Sequence, residues 1–170
     1  MRTTGDPGRR GGFTLIELLI VLAVLGIVAM IAVDSFRGIG EKYQVEGETK
    51  QLYADLMDAR GRAMQRSRAS FVVIEPGRPG YRTYEDTSPA PDGNGALSAT
   101  ADTPVANVTV RHAIVASGGV DNVTFNRNGT ASATGYVRFL SAAKPDYDCV
   151  GIGTTRLNMG KFNAGACVEK

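Results

Sequence analysis

One acidic side chain stands within an otherwise apolar stretch near the start of this sequence. Glu17 lies close to the beginning of a run from Phe13 to Val33 whose other members are mostly apolar. A carboxylate there can complement the positive end of a helix dipole, an interaction of about 0.3–1 kcal/mol. If the carboxylate is buried, it also needs a cationic or hydrogen-bonding partner. Glu17 is therefore the first candidate for a functional residue.

The other residue types that carry chemistry are few. His112 is the single histidine, which excludes histidine-based triads and multi-histidine metal sites, and we expect it to be structural. The sequence contains no Walker loop and no dinucleotide-binding glycine pattern. Asp146 and Asp148 offer a weaker alternative, a calcium site. The sequence thus predicts a protein that is not an enzyme and has no cofactor and no metal.

The two cysteines lie near the C-terminus. Cys149 and Cys167 lack neighbouring histidines and Cys-x-x-Cys spacing, which argues against a metal site. In an oxidising compartment their simplest partner is each other, whereas in a reducing one they would be two free thiols. The chain-entropy model assigns such a loop about 3 kcal/mol of stabilisation. We predict the disulfide, provided that the domain is exported.

The apolar run has the length of a membrane-spanning helix. Residues 13–33 would form a helix about 31 Å long, and a bilayer core is about 30 Å thick. Inserting the apolar side chains gains on the order of 4–8 kcal/mol, whereas one acid at mid-bilayer costs about 3 kcal/mol. A secretory signal peptide is disfavoured because the run is too long and no small-x-small site follows it. We predict a leader over residues 1–12 and a transmembrane segment over 13–36, although a plain signal anchor would share these features.

The charge balance gives little support for general nucleic-acid binding. The chain has a formal net charge of +2, and residues 1–12 carry three arginines against one aspartate. The remaining residues are therefore neutral overall. Binding to DNA would have to depend on a local basic patch.

Helical signals continue beyond the apolar run. No proline occurs between Asp34 and Arg68, and acids gather early and arginines late, as suits the helix dipole. We predict one helix from about Thr14 to Ser67, whose second half has an apolar face at i, i+4, i+7 and i+11 spacing. That face comprises Leu52, Leu56, Ala59 and Ala63, widened by Tyr53 and Met64. The weak points of the helix are Gly26, Gly38 and Gly40.

From residue 68 onward the pattern is that of short strands and turns. The predicted strands are Ser70–Ile74, Tyr81–Glu85, Val105–Val115, Val123–Asn126, Gly135–Leu140 and Cys149–Leu157, followed by a segment Met159–Val168 that returns Cys167 towards Cys149. Asn128-Gly129 predicts a tight turn. Residues 86–104 are expected to form an exposed loop, either functional or a tolerated insertion. The prediction is an α+β domain with the long helix laid across antiparallel sheet.

The residues around Glu17 resemble a known signature. Gly12 and the following Phe13-Thr14-Leu15-Ile16-Glu17-Leu18 are similar to the leader junction of type IV pilins and type II secretion pseudopilins. The resemblance implies that a prepilin peptidase cuts between Gly12 and Phe13 and that the new Phe13 amine is N-methylated. It also implies that Glu17 pairs with the N-terminal amine of a neighbouring subunit, which would set the axial register of a filament.

The C-terminal half resembles a narrower group. The segments Phe125–Thr130 and Cys149–Ile152, together with Arg156 and Cys167, are similar to the GspH/FimT group of minor pilins and pseudopilins. This resemblance implies a pilin-like fold, in which two antiparallel sheets pack on the helix of a globular domain over residues 37–170. It also implies a low-abundance subunit near the tip of the filament.

We therefore predict a minor pilin of a type IV pilus, with a type II secretion pseudopilin as the alternative. The implied partners are prepilin peptidase, a major pilin, other minor pilins or pseudopilins, and the membrane. The implied location is the bacterial inner membrane, with the C-terminal domain in the periplasm, and then the pilus or pseudopilus. A second alternative is a DNA-uptake receptor, for which Arg156 and Lys161 are the candidate contacts and residues 60–68 a denser cluster of arginines.

Overall fold

The computed structural model describes residues 13–75 and 79–170, apart from the side chains of residues 32–37. The predicted leader, including Gly12, lies outside the described residues. Within the described ranges, no helix combines the length and apolar content needed to cross a membrane. The predicted membrane segment, residues 13–36, extends into the residues whose side chains are not described.

One helix, α1 (Leu15–Arg66), has ends that are set by local backbone chemistry. Thr14 precedes the first helical residue, and its Oγ1 accepts a hydrogen bond from the N–H of Glu17 at 3.3 Å. At the other end Ser67 adopts a left-handed conformation with φ of 53°, which stops the helix. The helix predicted over residues 14–67 is therefore confirmed.

The described chain divides after Gly38 into two compact units, the second of which comprises Ile39–Lys170. In the second unit the predicted apolar face of α1 is at most 1% exposed, and it comprises Leu52, Leu56, Ala59 and Ala63. Tyr53 packs half-buried against the same core, as predicted. The prediction that Met64 widens this face is wrong, because Met64 is 47% exposed and lies against the turn at Gly129 instead.

Nine strands follow the helix in the described part of the chain. They are β1 (Ser70–Ile74), β2 (Gly80–Glu85), β3 (Thr103–Thr109), β4 (Ala113–Ser117), β5 (Asn122–Phe125), β6 (Gly135–Leu140), β7 (Cys149–Ile152), β8 (Leu157–Asn163) and β9 (Ala166–Glu169). They form two antiparallel sheets, in the orders β3-β2-β1-β5 and β4-β6-β7-β8-β9. One core joins α1 to both sheets, with Val72 and Phe125 from the first and Val137 and Val150 from the second. The predicted α+β, pilin-like fold is therefore confirmed.

The prediction of a single strand over residues 105–115 is wrong, because β3 and β4 belong to different sheets. Glu48 on α1 fixes the crossing between them. Its Oε1 accepts the N–H of Arg111 at 2.7 Å, and its Oε2 lies 2.8 Å from Nδ1 of His112. His112 therefore helps to hold this crossing and lies between the two strands, outside both.

The C-terminal strands are also more divided than predicted. The single strand predicted over residues 149–157 is wrong, because the chain turns where the N–H of Gly153 donates to the carbonyl of Arg156 at 2.8 Å. The segment that follows consists of β8 and β9. They are joined by a turn in which Ala164 and Gly165 both have positive φ, a conformation that reverses an antiparallel pair tightly.

The loop between β2 and β3 is organised by two buried carboxylates. Asp102 is 4% exposed and accepts hydrogen bonds from the N–H groups of Thr87, Ser88 and Ser98 at 2.7–3.1 Å. Asp86 accepts two further backbone N–H groups of the same loop. A buried carboxylate is stable when such donors surround it, so the two residues fix the path of the loop.

Most of residues 86–104 are exposed, as predicted. Leu97 nevertheless packs against a small second cluster formed by Ala69, Phe71 and Tyr84. The loop therefore covers apolar side chains of the first sheet, which is a structural role.

Candidate assembly surface

The start of α1 exposes both residues that the sequence singled out there. Phe13, which precedes the helix, is 85% exposed. Glu17 occupies the third helical position and is also exposed. Among the described residues, none donates a hydrogen bond to its carboxylate or forms an ion pair with it. Within the described part of the chain, the carboxylate therefore remains open to a partner from another molecule.

The first part of α1 presents apolar side chains around its whole circumference. The large apolar residues from Leu15 to Ile31 are between 50% and 80% exposed. A helix that is hydrophobic all round is normally buried in a larger assembly or in a membrane. This surface therefore requires a cover, either lipid or other apolar helices.

The predicted disulfide is present. Cys149 on β7 and Cys167 on β9 are bonded, with their Cα atoms 5.9 Å apart. Strand β8 lies between β7 and β9 in the sheet, so the bond reaches over an intervening strand. The disulfide thereby ties the last strand of the chain to the interior of its sheet.

Gly160 on β8 makes room for this bond. It pairs with Cys149 on one side and with Glu169 on the other. A Cβ at this position would lie 3.2 Å from Sγ of Cys167 and 2.1 Å from the carbonyl oxygen of Val168. Gly160 therefore belongs to the disulfide site, although the sequence analysis did not single it out. A glycine within a strand pattern was the signal that could have found it.

The two residues considered for DNA contact occupy different places. Arg156 lies in the turn between β7 and β8 and forms an ion pair with Glu169. Lys161 lies on β8 and is half-buried. A cavity of about 390 Å³ has Arg156 and Glu169 in its lining, but not Lys161. The two cations therefore do not line this cavity together.

The arginines at the end of α1 are largely engaged within the domain. Arg62 pairs with Asp58 at 2.6 Å, and Arg66 pairs with the buried Glu85 at 2.6 Å. Arg68 lies 3.8 Å from the same carboxylate. These acids reduce the positive charge that the cluster could offer to phosphates.

Three glutamates of α1 have partners that the sequence did not reveal. Glu41 accepts a hydrogen bond from Oγ of Ser141, and Glu46 accepts the N–H of Asp146 at 2.9 Å. Together with Glu48 they fasten the helix to the loops of the domain. From the sequence, these acids were predicted only to complement the helix dipole. Because two of the contacts join residues 100 positions apart, no local pattern could have identified them.

Asp146 is held between two lysines. Its carboxylate oxygens lie 2.7 Å from Nζ of Lys170 and 2.9 Å from Nζ of Lys42. Hydrogen bonds and positive charge from Lys170 and Lys42 lower the pKa of Asp146 from 3.8 to about 2. Asp148, the other residue of the calcium alternative, accepts the N–H of Phe162. The described residues contain no group of three or more potential metal ligands among His, Cys, Asp and Glu.

We expect the ionisation of Asp146 to make the free energy of unfolding depend on pH in the acid range. Because its pKa is lower in the folded chain, its contribution is present above about pH 3.8 and is lost as the pH falls through about 2. Asp146→Asn should therefore remove this part of the acid dependence. Urea unfolding between about pH 2 and about pH 5 measures it, with Asp92→Asn in the exposed loop as the control. An unchanged acid dependence in Asp146→Asn would contradict the assignment.

Family comparison agrees with this geometry. Residues 8–33 match the model described as the prokaryotic N-terminal methylation motif, and residues 48–155 match the one described as type II transport protein GspH. No significant match was found among curated proteins or solved structures. The two matches identify a minor pilin or pseudopilin of a type IV pilus or type II secretion system. Since the second match spans more than half of the 170 residues, the chain belongs to the family of the type II transport protein GspH.

Proposed function

We propose that this protein is a minor pilin of a type IV pilus, assembled into the filament or at its tip. The observation that carries the proposal is the exposed apolar surface of α1, with the exposed Glu17 at its start. In a filament, the corresponding helices of neighbouring subunits cover such a surface. The protein's role is structural, and it has no enzymatic activity.

Processing creates the partner of Glu17. A prepilin peptidase cuts between Gly12 and Phe13, and the freed amine of Phe13 is then methylated and remains cationic. The N-terminal methylation motif supports this step. Moving a carboxylate from water into an apolar core costs on the order of several kcal/mol. A nearby opposite charge can offset this cost. Glu17 can reach the amine of a neighbouring subunit at only one axial position, so this pair sets the register between the two subunits.

Before assembly, residues 13–36 anchor the protein in the bacterial inner membrane. The globular domain, residues 37–170, lies in the periplasm, where an oxidising environment sustains the disulfide. The basic leader stays in the cytoplasm, as the positive-inside rule requires. The exposed apolar side chains from Leu15 to Ile31 support this placement.

Replacing Gly12 tests the processing step. We expect Gly12→Val to stop cleavage, because the peptidase accepts only a small residue before the cut. The uncleaved precursor should stay in the inner membrane with the Cys149–Cys167 bond formed. Mass spectrometry of the purified chain distinguishes the two forms, and Gly11→Val, which keeps Gly12, should be cleaved normally. Loss of residues 1–12 from Gly12→Val would refute the proposed site.

In-cell cross-linking of the full-length protein with mass spectrometry tests the machine that it serves. Cross-links to a major pilin and other minor pilins would support the type IV pilus. Cross-links to the subunits of a secretion pseudopilus would refute it and establish the second candidate. That candidate is favoured by one observation, the description of the matched family as a type II transport protein.

Direct DNA binding is the third candidate, and the ion pair between Arg156 and Glu169 argues against it. We expect Arg156→Ala to leave the affinity of the full-length protein for duplex DNA unchanged, within about twofold. Fluorescence anisotropy at two salt concentrations measures it, with Arg127→Ala as the control. Binding that falls steeply with salt and is lost specifically in Arg156→Ala would establish a receptor role instead.

A further inference from the structure

We propose that the last strand, β9, is a detachable strand whose attachment to its sheet is controlled by the redox state of the Cys149–Cys167 bond. With the bond formed, β9 lies at the edge of the sheet beside β8. With the bond reduced, β9 leaves the sheet while the rest of the domain keeps its fold. The proposal concerns the globular domain and does not depend on which filament the protein joins.

Side-chain packing contributes little to the attachment of β9. Ala166 and Glu169 are exposed, and Val168 is 52% exposed. Among the described residues, neither of the two clusters of buried apolar side chains includes a residue of β9. Because burial of apolar surface is the main source of stability, β9 can separate from β8 without opening the core.

The polar contacts of β9 can be replaced by water. In the described part of the chain its backbone pairs with one strand only, β8. Glu169 forms an ion pair with Arg156, and the following residue, Lys170, forms one with Asp146. All four of these side chains are at least 48% exposed. Exposed ion pairs add little stability and are screened by salt, so the disulfide is the contact that decides whether β9 stays attached.

The two bonded cysteines lie on strands that are held very differently. Cys149 is completely buried on β7, which has β6 on one side and β8 on the other. Cys167 is half-buried on β9. The turn at residues 164–165 holds one end of β9, and the bond holds its middle, so a strand that separates from β8 quickly pairs again. Breaking the bond leaves Cys149 in an interior strand and removes the second attachment point of β9.

Release of β9 requires a dithiol reductant, which acts by thiol–disulfide exchange. One thiolate of the reductant attacks Sγ of Cys167, the less buried of the two residues. The S–S bond breaks, and Sγ of Cys149 leaves with the electron pair and takes up a proton. The second thiolate of the reductant then attacks the reductant's own sulfur in the mixed disulfide, and Sγ of Cys167 leaves and is protonated. The reductant ends as a disulfide, and the chain ends with two thiols.

Hydrogen exchange of the detergent-solubilised full-length protein, followed by mass spectrometry, tests this release. Treatment with dithiothreitol should accelerate exchange over residues 161–169 by at least about tenfold. Exchange over residues 52–63 of α1 and over β1 should change by less than about twofold. Equal acceleration throughout the domain would overturn the proposal, because the bond would then stabilise the whole fold. No acceleration, or fast exchange of β9 before reduction, would overturn it as well.

Two variants separate the bond from the other contacts of β9. Cys149→Ser/Cys167→Ser should show the fast exchange of residues 161–169 without any reductant. Glu169→Gln loses the ion pair with Arg156 but keeps the bond, so its exchange should stay within about threefold of the oxidised protein. Unchanged exchange over residues 52–63 shows that each variant is folded. Release of β9 in oxidised Glu169→Gln, to the extent seen on reduction, would overturn the proposal.

Discussion

A Glu17→Ala variant is expected to be cleaved and held in the membrane like the unmodified protein but to be missing from filaments. The amine of a neighbouring subunit would then enter the apolar core without its counter-charge. Loss of one partner from a buried pair costs about 3–5 kcal/mol, which corresponds to a more than hundredfold loss of incorporation. Quantifying the subunit in sheared filaments and in membranes separates assembly from anchoring.

The matched control for this variant is Ile16→Ala. Ile16 is the preceding residue and is 64% exposed, so its truncation removes apolar surface without removing a charge. It should reduce incorporation far less than Glu17→Ala does. Normal incorporation of Glu17→Ala would show that the carboxylate does not set the register.

Removal of the disulfide should have the second largest effect. The bonded cysteines are 18 positions apart, and closing such a loop stabilises the folded state by about 3 kcal/mol in the chain-entropy model. We expect Cys149→Ala/Cys167→Ala to lose about this free energy of unfolding. Urea unfolding of the full-length protein, followed by circular dichroism, measures the difference.

Two comparisons show whether the bond itself is responsible. Reducing the unmodified protein should reproduce most of the loss seen in Cys149→Ala/Cys167→Ala. Gly160→Val should also be destabilising, because its side chain would occupy the space next to Sγ of Cys167. Lys161→Ala, on the next residue of the same strand, should be close to neutral. A double cysteine variant that is less than about 1 kcal/mol less stable would refute the stabilising role.

The sequence was most informative where the pattern is local. The 3.6-residue spacing of Leu52, Leu56 and Ala59 predicted the buried face of α1, and two strands, Ser70–Ile74 and Gly135–Leu140, were predicted with their observed bounds. Periodicity works here because each element buries one face against a common core. The junction around Glu17 could likewise be recognised from consecutive residues.

Prediction failed where contacts distant in the chain decide the structure. The apolar residues on both sides of Arg111 look like one strand, and only Glu48, 63 positions earlier, shows where the chain changes sheets. The role of Gly160 could not be predicted, because a glycine is needed there only when the folded chain places Cys167 beside it. The position of β4 at the edge of its sheet could not be predicted, since the order of strands in a sheet is a property of the whole fold.

The core that α1 shares with both sheets also bears on mechanical load. Buried side chains between Leu52 and Ala63 belong to the same cluster as residues of each sheet, and Glu41 and Glu46 fasten the helix to distant loops. A pull along the helix therefore has to shear these contacts together, because neither sheet can peel away while the other holds. A subunit held in a filament by its helix would therefore transmit force to both sheets of its domain together.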